Sequence, residues 1–205
     1  MKYNGYIIPI SFILALLLGY FFFTQGAKPE LSYAEQIQQK RLKKEYWLKS
    51  AEDSPFAGVP SGFSPLGYFE PDESFKVSAS LEFIDDLTKV TLPTTDGRLR
   101  EYFRFAYLHF ELGSQPQRLL VFKPVNSSSN SELFLGFRDE TNGSETYAGG
   151  RYLDLEYSQG SELILDFNMA YNPFCVYAED YSCPIPPAVN QLSVPIAAGE
   201  KMYRK

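Results

Sequence analysis

Few residues in this chain are suited to chemistry. Cys175 and Cys183 stand eight positions apart in NPFCVYAEDYSCPIPP and are its only cysteines, and His109 is its only histidine. A structural zinc site asks for four Cys or His ligands, so no metal centre is expected. A Cys–His nucleophilic pair would need His109 beside a thiol. A Ser–His–Asp triad would need it too, and the chain has no G-x-S-x-G elbow. No P-loop, and no G-x-G-x-x-G after a strand, is present. Acid–base chemistry therefore falls to carboxylates. Asp139, Glu145 and Asp166 are the candidates for a hydrolase whose carboxylate pair is split by burial.

Binding is the leading alternative to catalysis. GFRDETNGSETYAGGRYLDLE sets Arg138, Tyr147 and Arg151 around Asn142-Gly143 and Gly149-Gly150. A guanidinium near such a turn can hold a carboxylate or phosphate through two bonds. The same residues also suit an internal ion-pair network. LDFNMAYNPFC adds Asp166, Asn168, Tyr171 and Asn172, which either line a pocket or bond the backbone of an irregular loop. The expected binding rim is Arg138, Tyr147, Arg151, Asp166, Asn168 and Asn172, braced by the cysteine loop. No cofactor is expected, and the ligand would be a small molecule or an envelope protein.

The elements that position these residues are mostly strands. Ser32 to Ser50 predicts a helix, with a Ser32/Glu35 capping box and a thin stripe of Ala34, Ile37, Leu42, Trp47 and Leu48. Its KRLKK cluster is either a solvated face or a contact for anionic headgroups. From Phe75 the period becomes two. Val77, Ala79, Leu81 and Phe83 alternate with polar residues, and Asp96-Gly97 predicts a hairpin. Leu99 to Leu112 follows as a long strand, with Phe103, Phe105, Tyr107 and His109 on one face and Ala106, Leu108, Phe110 and Leu112 on the other. Further strands are expected near 118–123, 132–138, 152–157, 162–167 and 192–196. The fold class is mainly β, an antiparallel sandwich or partly open barrel, preceded by a transmembrane helix and one amphipathic helix.

The transmembrane expectation comes from Tyr6–Phe23, YIIPISFILALLLGYFFF, an unbroken apolar run after Lys2. At about 1.5 Å per residue it reaches roughly 27 Å, close to a hydrocarbon core of about 30 Å. The reading is an anchor at 6–23 (or a long signal peptide) after a short tail at 1–5, a linker and helix at 24–54, and a β-rich domain at 55–205. The domain is expected on the extracytoplasmic side of a single-pass membrane protein. There, Cys175 and Cys183 would form a disulfide, closing a loop for about 2.6 kcal/mol; in the cytoplasm they would stay reduced. Residues 1–51 carry a net +4 and residues 52–205 a net −10. So acidic a domain does not bind nucleic acid.

FRDETNGSETYAGGRYL, DFNMAYNPFCVY, CPIPPAVNQL and AGEK occur in that order, with TTDG and the SPF entry near residue 55. Together they resemble the 1684 family of domains of unknown function, over about Ser32 to Lys201. The resemblance implies recurrent residues at Arg138, Asp139, Thr141, Gly143, Thr146, Tyr147, Gly150, Arg151, Asp166, Asn168, Tyr171, Asn172, Pro173, Cys175, Cys183, Pro184 and Asn190. It implies no catalytic role, because the family has no established activity.

Overall fold

A computed structural model describes residues 11, 14, 30–57, 63–85, 88–127, 129 and 131–204. Residues 1–32 and 33–205 fall into two units. The second unit begins with helix α1 (Tyr33–Ser50). Seven strands follow: β1 (Lys76–Phe83), β2 (Lys89–Pro93), β3 (Leu99–Leu112), β4 (Gln115–Pro124), β5 (Glu132–Phe137), β6 (Arg151–Glu156) and β7 (Glu162–Asp166). They form one open antiparallel sheet in the order β6-β5-β4-β3-β1-β7, with β2 also on β3. The mainly-β reading stands, but the architecture is a single half-barrel sheet and not a two-sheet sandwich.

The anchor expectation is corrected. Among the described residues no helix is long and apolar enough to cross a membrane. The run Tyr6–Phe23 lies outside the described residues except Ser11 and Leu14. Helix α1 is too polar to serve, and the single-pass membrane placement is withdrawn.

Strand β3 organises the sheet. Its Leu99–Phe103 half pairs with β2 through the Asp96-Gly97 hairpin, its Ala106–His109 segment pairs with β1, and its other edge pairs with β4. Gly97 takes φ +81°, the left-handed conformation that such a turn demands. The β3–β4 register shifts between Arg104 and Ala106. Ala106, Leu108, Phe110 and Leu112 share the first core as expected, and the bulge moves Phe105 to that side. Phe105 packs with the first core, whereas Tyr102 and Tyr107 pack with the second. His109 does not sit among aromatics; its Nε2 lies 2.6 Å from Glu82 at a partly exposed position.

The first core lies on one face of the sheet, where Leu81, Leu108, Phe110, Val121, Leu135, Leu153 and Leu165 meet Phe167, Leu192, Ile196 and Ala198. Residues 192–196, expected as a strand, are irregular chain, but Leu192 and Ile196 are buried as a strand's would be. The opposite face carries Tyr102, Leu120, Phe122, Phe134 and Tyr152.

Strands β4 and β5 share one register position, Phe122↔Phe134. The missing ladder is supplied by Asn190, whose side chain accepts from Leu120 N at 2.7 Å and donates to Leu120 O and Gly136 O at 2.8 Å each. Asn190 is 0% exposed. Asn190→Ala would leave these backbone groups unsatisfied and is expected to cost about 2–3 kcal/mol. Urea unfolding checks this; a loss under about 0.5 kcal/mol would show that the bonds are replaceable.

Helix α1 packs on part of the expected stripe. Ile37 and Leu48 are buried and Trp47 is half-buried, but Ala34 is exposed, Leu42 is 58% exposed, and Arg41 is buried in their place. The KRLKK cluster therefore splits. Arg41 donates to Phe69 O at 2.9 Å and Asn168 O at 3.3 Å and lies 4.4 Å over the Tyr68 ring. Lys44 bonds Glu200 at 2.5 Å and lies 4.4 Å over Tyr171. Lys40 and Lys43 stay exposed. Two cations on the packed face explain why the apolar stripe in the sequence is thin.

Candidate functional site

The expected binding residues do not line a common cleft. Arg151 is 0% exposed, and its guanidinium donates to Asp139 Oδ2 (2.9 Å) and to the carbonyls of Ile196 (2.9 Å), Ala198 and Glu200 (3.2 Å). Asp139 Oδ1 in turn accepts from Thr141 N, Thr141 Oγ1 and Ile196 N. Asn168 clamps the Asp72 backbone from both sides and donates to Asp166 Oδ1, which also accepts from Tyr33 Oη. Asn172 accepts nothing at Oδ1, but its backbone N–H donates to Glu200 Oε2 and its amide donates to Lys201 O. Arg138 and Tyr147 flank the glycine turn: a Cβ at Gly150 would stand 3.0 Å from Arg138 Cγ, and one at Gly149 would stand 2.4 Å from the Tyr147 ring. Of the hydrolase candidates, Asp139 is tied to Arg151, Asp166 caps the turn at Phe167–Met169, and Glu145 is exposed.

These side chains share one task. Residues 196–203 cross the sheet's end without a regular ladder, so their carbonyls need partners from side chains. Arg151, Asp139, Asn172 and Glu200 supply or position them. Glu200, 1% exposed, accepts from Lys44, from Tyr177 Oη at 2.5 Å and from Asn172 N at 2.9 Å. Gly199 takes φ +77°, and a Cβ there would stand 2.6 Å from Ala170 O. Asp139, Arg151 and Asn172 are thus the internal bracing of an irregular segment.

The expected disulfide is also corrected. Cys175 and Cys183 are free thiols. Cys183 Sγ accepts the Cys175 N–H at 3.2 Å, and Cys183 N donates to Thr95 Oγ1 at 3.2 Å. A hydrogen bond from the Cys183 side chain, and another from Thr95, bring Cys175 down to about 6. The same shared proton, with burial, pushes Cys183 up. The pair is two free thiols, not a crosslink.

A groove opens on the second face of the sheet. Strands β3, β5 and β6 supply Arg100, Tyr102, Phe134, Tyr152 and Asp154, while residues 171–184 supply Tyr171, Phe174, Tyr181, Ser182 and Cys183 as the facing wall. Its volume is about 560 Å³. It adjoins a cleft of about 770 Å³ past Glu132 and Glu156 and another of about 260 Å³ past Lys44 and Met169; Asp154 borders all three. None of the six expected binding residues lines any of them.

The rings form a chain. Centroids lie 5.3 Å apart for Tyr102–Phe134, 4.9 Å for Phe134–Tyr152, 5.9 Å for Tyr152–Tyr171, 6.4 Å for Tyr171–Phe174 and 5.6 Å for Phe174–Tyr181. Tyr152 Oη donates to Pro184 O, which fixes the facing wall to the sheet. Tyr171 Oη donates to Asp154 Oδ2 at 2.8 Å. Burial on its flanks raises the Asp154 pKa, the Tyr171 bond and Lys44 oppose that, and Glu132 adds to it. Burial and the neighbouring Asp154 charge push the Tyr171 phenol well up. At the rim, Arg98 is held by Asp96 at 2.5 Å and Arg100 donates to Ser182 O at 3.1 Å. Among the described residues no group of three or more His, Cys, Asp or Glu is placed to hold a metal.

Alternation within β6 was the available signal for this groove. Tyr152 and Asp154 alternate with Arg151, Leu153 and Leu155, so a ring and a carboxylate share a face away from the main core.

A search of curated proteins finds no match. Among solved structures, the chain is similar to the solution NMR structure of an uncharacterized protein of Haloarcula marismortui, at 37% identity and a TM-score of 0.65, covering 82% of this chain and 92% of that one. The model of a family described as proteins of unknown function, DUF1684, matches residues 61–201, and the chain belongs to that family.

Proposed function

We propose that this protein is a binding domain for a small organic ligand, held in the groove between the second face of the sheet and residues 171–184. The observation that carries the reading is the run of six rings walling one cleft, from Tyr102 to Tyr181, with a single carboxylate at the junction of the adjoining clefts. About 560 Å³ suits a small molecule, and such sites are concave, largely apolar and carry few polar groups. The walls are rigid where they come from strands, which lowers the ordering cost of binding. The alternative, a carboxylate-pair hydrolase, gains nothing from the placement of Asp139, Glu145 and Asp166, which face no common cleft.

A thermal-shift panel of ring compounds ending in an amine, a carboxylate or a hydroxyl (phenethylamine, 3-phenylpropionate, 2-phenylethanol) tests the reading. At least one is expected to raise the melting temperature, and Phe174→Ala and Tyr181→Ala, which remove rings from the outer wall, are expected to weaken that compound's binding about tenfold each. No stabilisation by any compound, or binding indifferent to both substitutions, would remove the proposal.

A further inference from the structure

We infer that the groove's ligand is an organic cation, with its ammonium seated against Asp154 and its apolar body along the rings of Tyr102, Phe134 and Tyr171. This rests on the groove being a binding site, and adds the chemical class of what it takes.

Three observations carry it. First, the ring-walled clefts converge on a carboxylate. Asp154 receives one bond, from Tyr171 to Oδ2, which leaves Oδ1 open to the cleft. Second, the sheet register repeats negative charge beside it. Glu132 stands directly opposite Glu156, and Phe134 opposite Asp154, on the same face. Like charges placed across a strand pair are destabilising, yet none of the ion pairs among the described residues includes Glu132, Asp154 or Glu156. Lys44, the cation that acts on Asp154, is bonded to Glu200 at 2.5 Å. Third, aromatic faces beside a carboxylate attract a desolvated cation through the ring quadrupole. Of the two guanidiniums at the rim, Arg98 is paired with Asp96, and Arg100, which donates to the neutral Ser182 carbonyl, is one positive charge against the three carboxylates Glu132, Asp154 and Glu156. The apparent defect in strand pairing is resolved if a positive group from outside completes the site. The raised Asp154 pKa agrees with a carboxylate lacking its counterion, and a bound cation would bring it back down.

Isothermal titration of the folded protein with phenethylamine, 2-phenylethanol and 3-phenylpropionate tests the inference. Phenethylamine is expected to bind at least tenfold more tightly than 2-phenylethanol. Asp154→Asn should reduce that ratio to about twofold while leaving 2-phenylethanol unchanged. Asp154 is exposed to the groove, so the substitution spares the fold, and its melting curve verifies this. Equal binding of amine and alcohol, or tightest binding of the carboxylate, would overturn the cation and leave the groove reading intact. Binding of none of the three would overturn both.

Discussion

Arg151→Met is expected to cost about 3–5 kcal/mol, the scale for stripping one partner from a buried ion pair. The structural reason is specific. Asp139 is 3% exposed and would lose its cation, while three carbonyls of residues 196–200 would lose their donor. Burial lowers the Arg151 pKa, and the neighbouring Asp139 charge opposes that. At roughly 2–4 °C per kcal/mol for a chain of this size, the melting temperature should fall by about 10 °C. Arg151→Lys is expected to recover little, because one ammonium cannot reach Asp139 and three separate carbonyls in the planar pattern that a guanidinium provides. Urea unfolding of both variants measures the effect. A loss below about 1 kcal/mol for Arg151→Met would mean that residues 196–200 are held by other means.

Glu200→Ala should cost a similar amount, about 3–4 kcal/mol. Glu200 joins four parts of the fold: Lys44 of α1, Tyr68 at 3.5 Å, Asn172 N and Tyr177 Oη. Removing it leaves a half-buried ammonium, a buried phenol and a buried N–H without an acceptor. Glu200→Gln keeps an acceptor for Tyr177 or Asn172 but loses the charge facing Lys44, so it should lie between wild type and Glu200→Ala. Because Lys44 also covers Tyr171, Glu200→Ala is further expected to loosen α1 from the groove, read as faster amide exchange across Tyr33–Ser50 than across β3. A uniform change over both elements would contradict that local coupling.

Much of the sheet was legible in the sequence. The alternation at Val77–Phe83 and the Asp96-Gly97 turn gave β1 and the β2–β3 hairpin, because the local period and turn chemistry agree with the fold there. Three features were not legible, each for a physical reason. The β3 bulge shifts parity by one residue, and only pairing with β4 reveals it. Helix α1 buries Arg41 and half-buries Lys44, so only Ile37, Trp47 and Leu48 of its packed face show in the hydrophobic periodicity. Residues 192–196 have the apolar spacing of a strand but bond to Arg138 and Asp139 instead of to a ladder.

The proposed groove left no comparable signal in the sequence. Asp139, Arg151 and Asn172 stand out as unusual words because an irregular chain end needs side chains to satisfy its backbone, and Asn168 braces Asp72 in the same way. The groove is built from residues on three strands and one loop. Tyr102 and Phe134 lie outside the unusual words, and Tyr152 and Phe174 lie within them without standing out as site residues. Their grouping follows from strand order β6-β5-β4-β3, which no local pattern encodes.

The most direct test is to map phenethylamine onto the protein by amide chemical shifts. Perturbations concentrated at Tyr102, Phe134, Tyr152–Asp154 and Tyr171–Ser182, with Arg138–Gly150 silent, are the predicted result. Shifts centred on Arg138–Gly150 with a quiet groove would contradict the account, since they would make the bracing residues the binding surface after all.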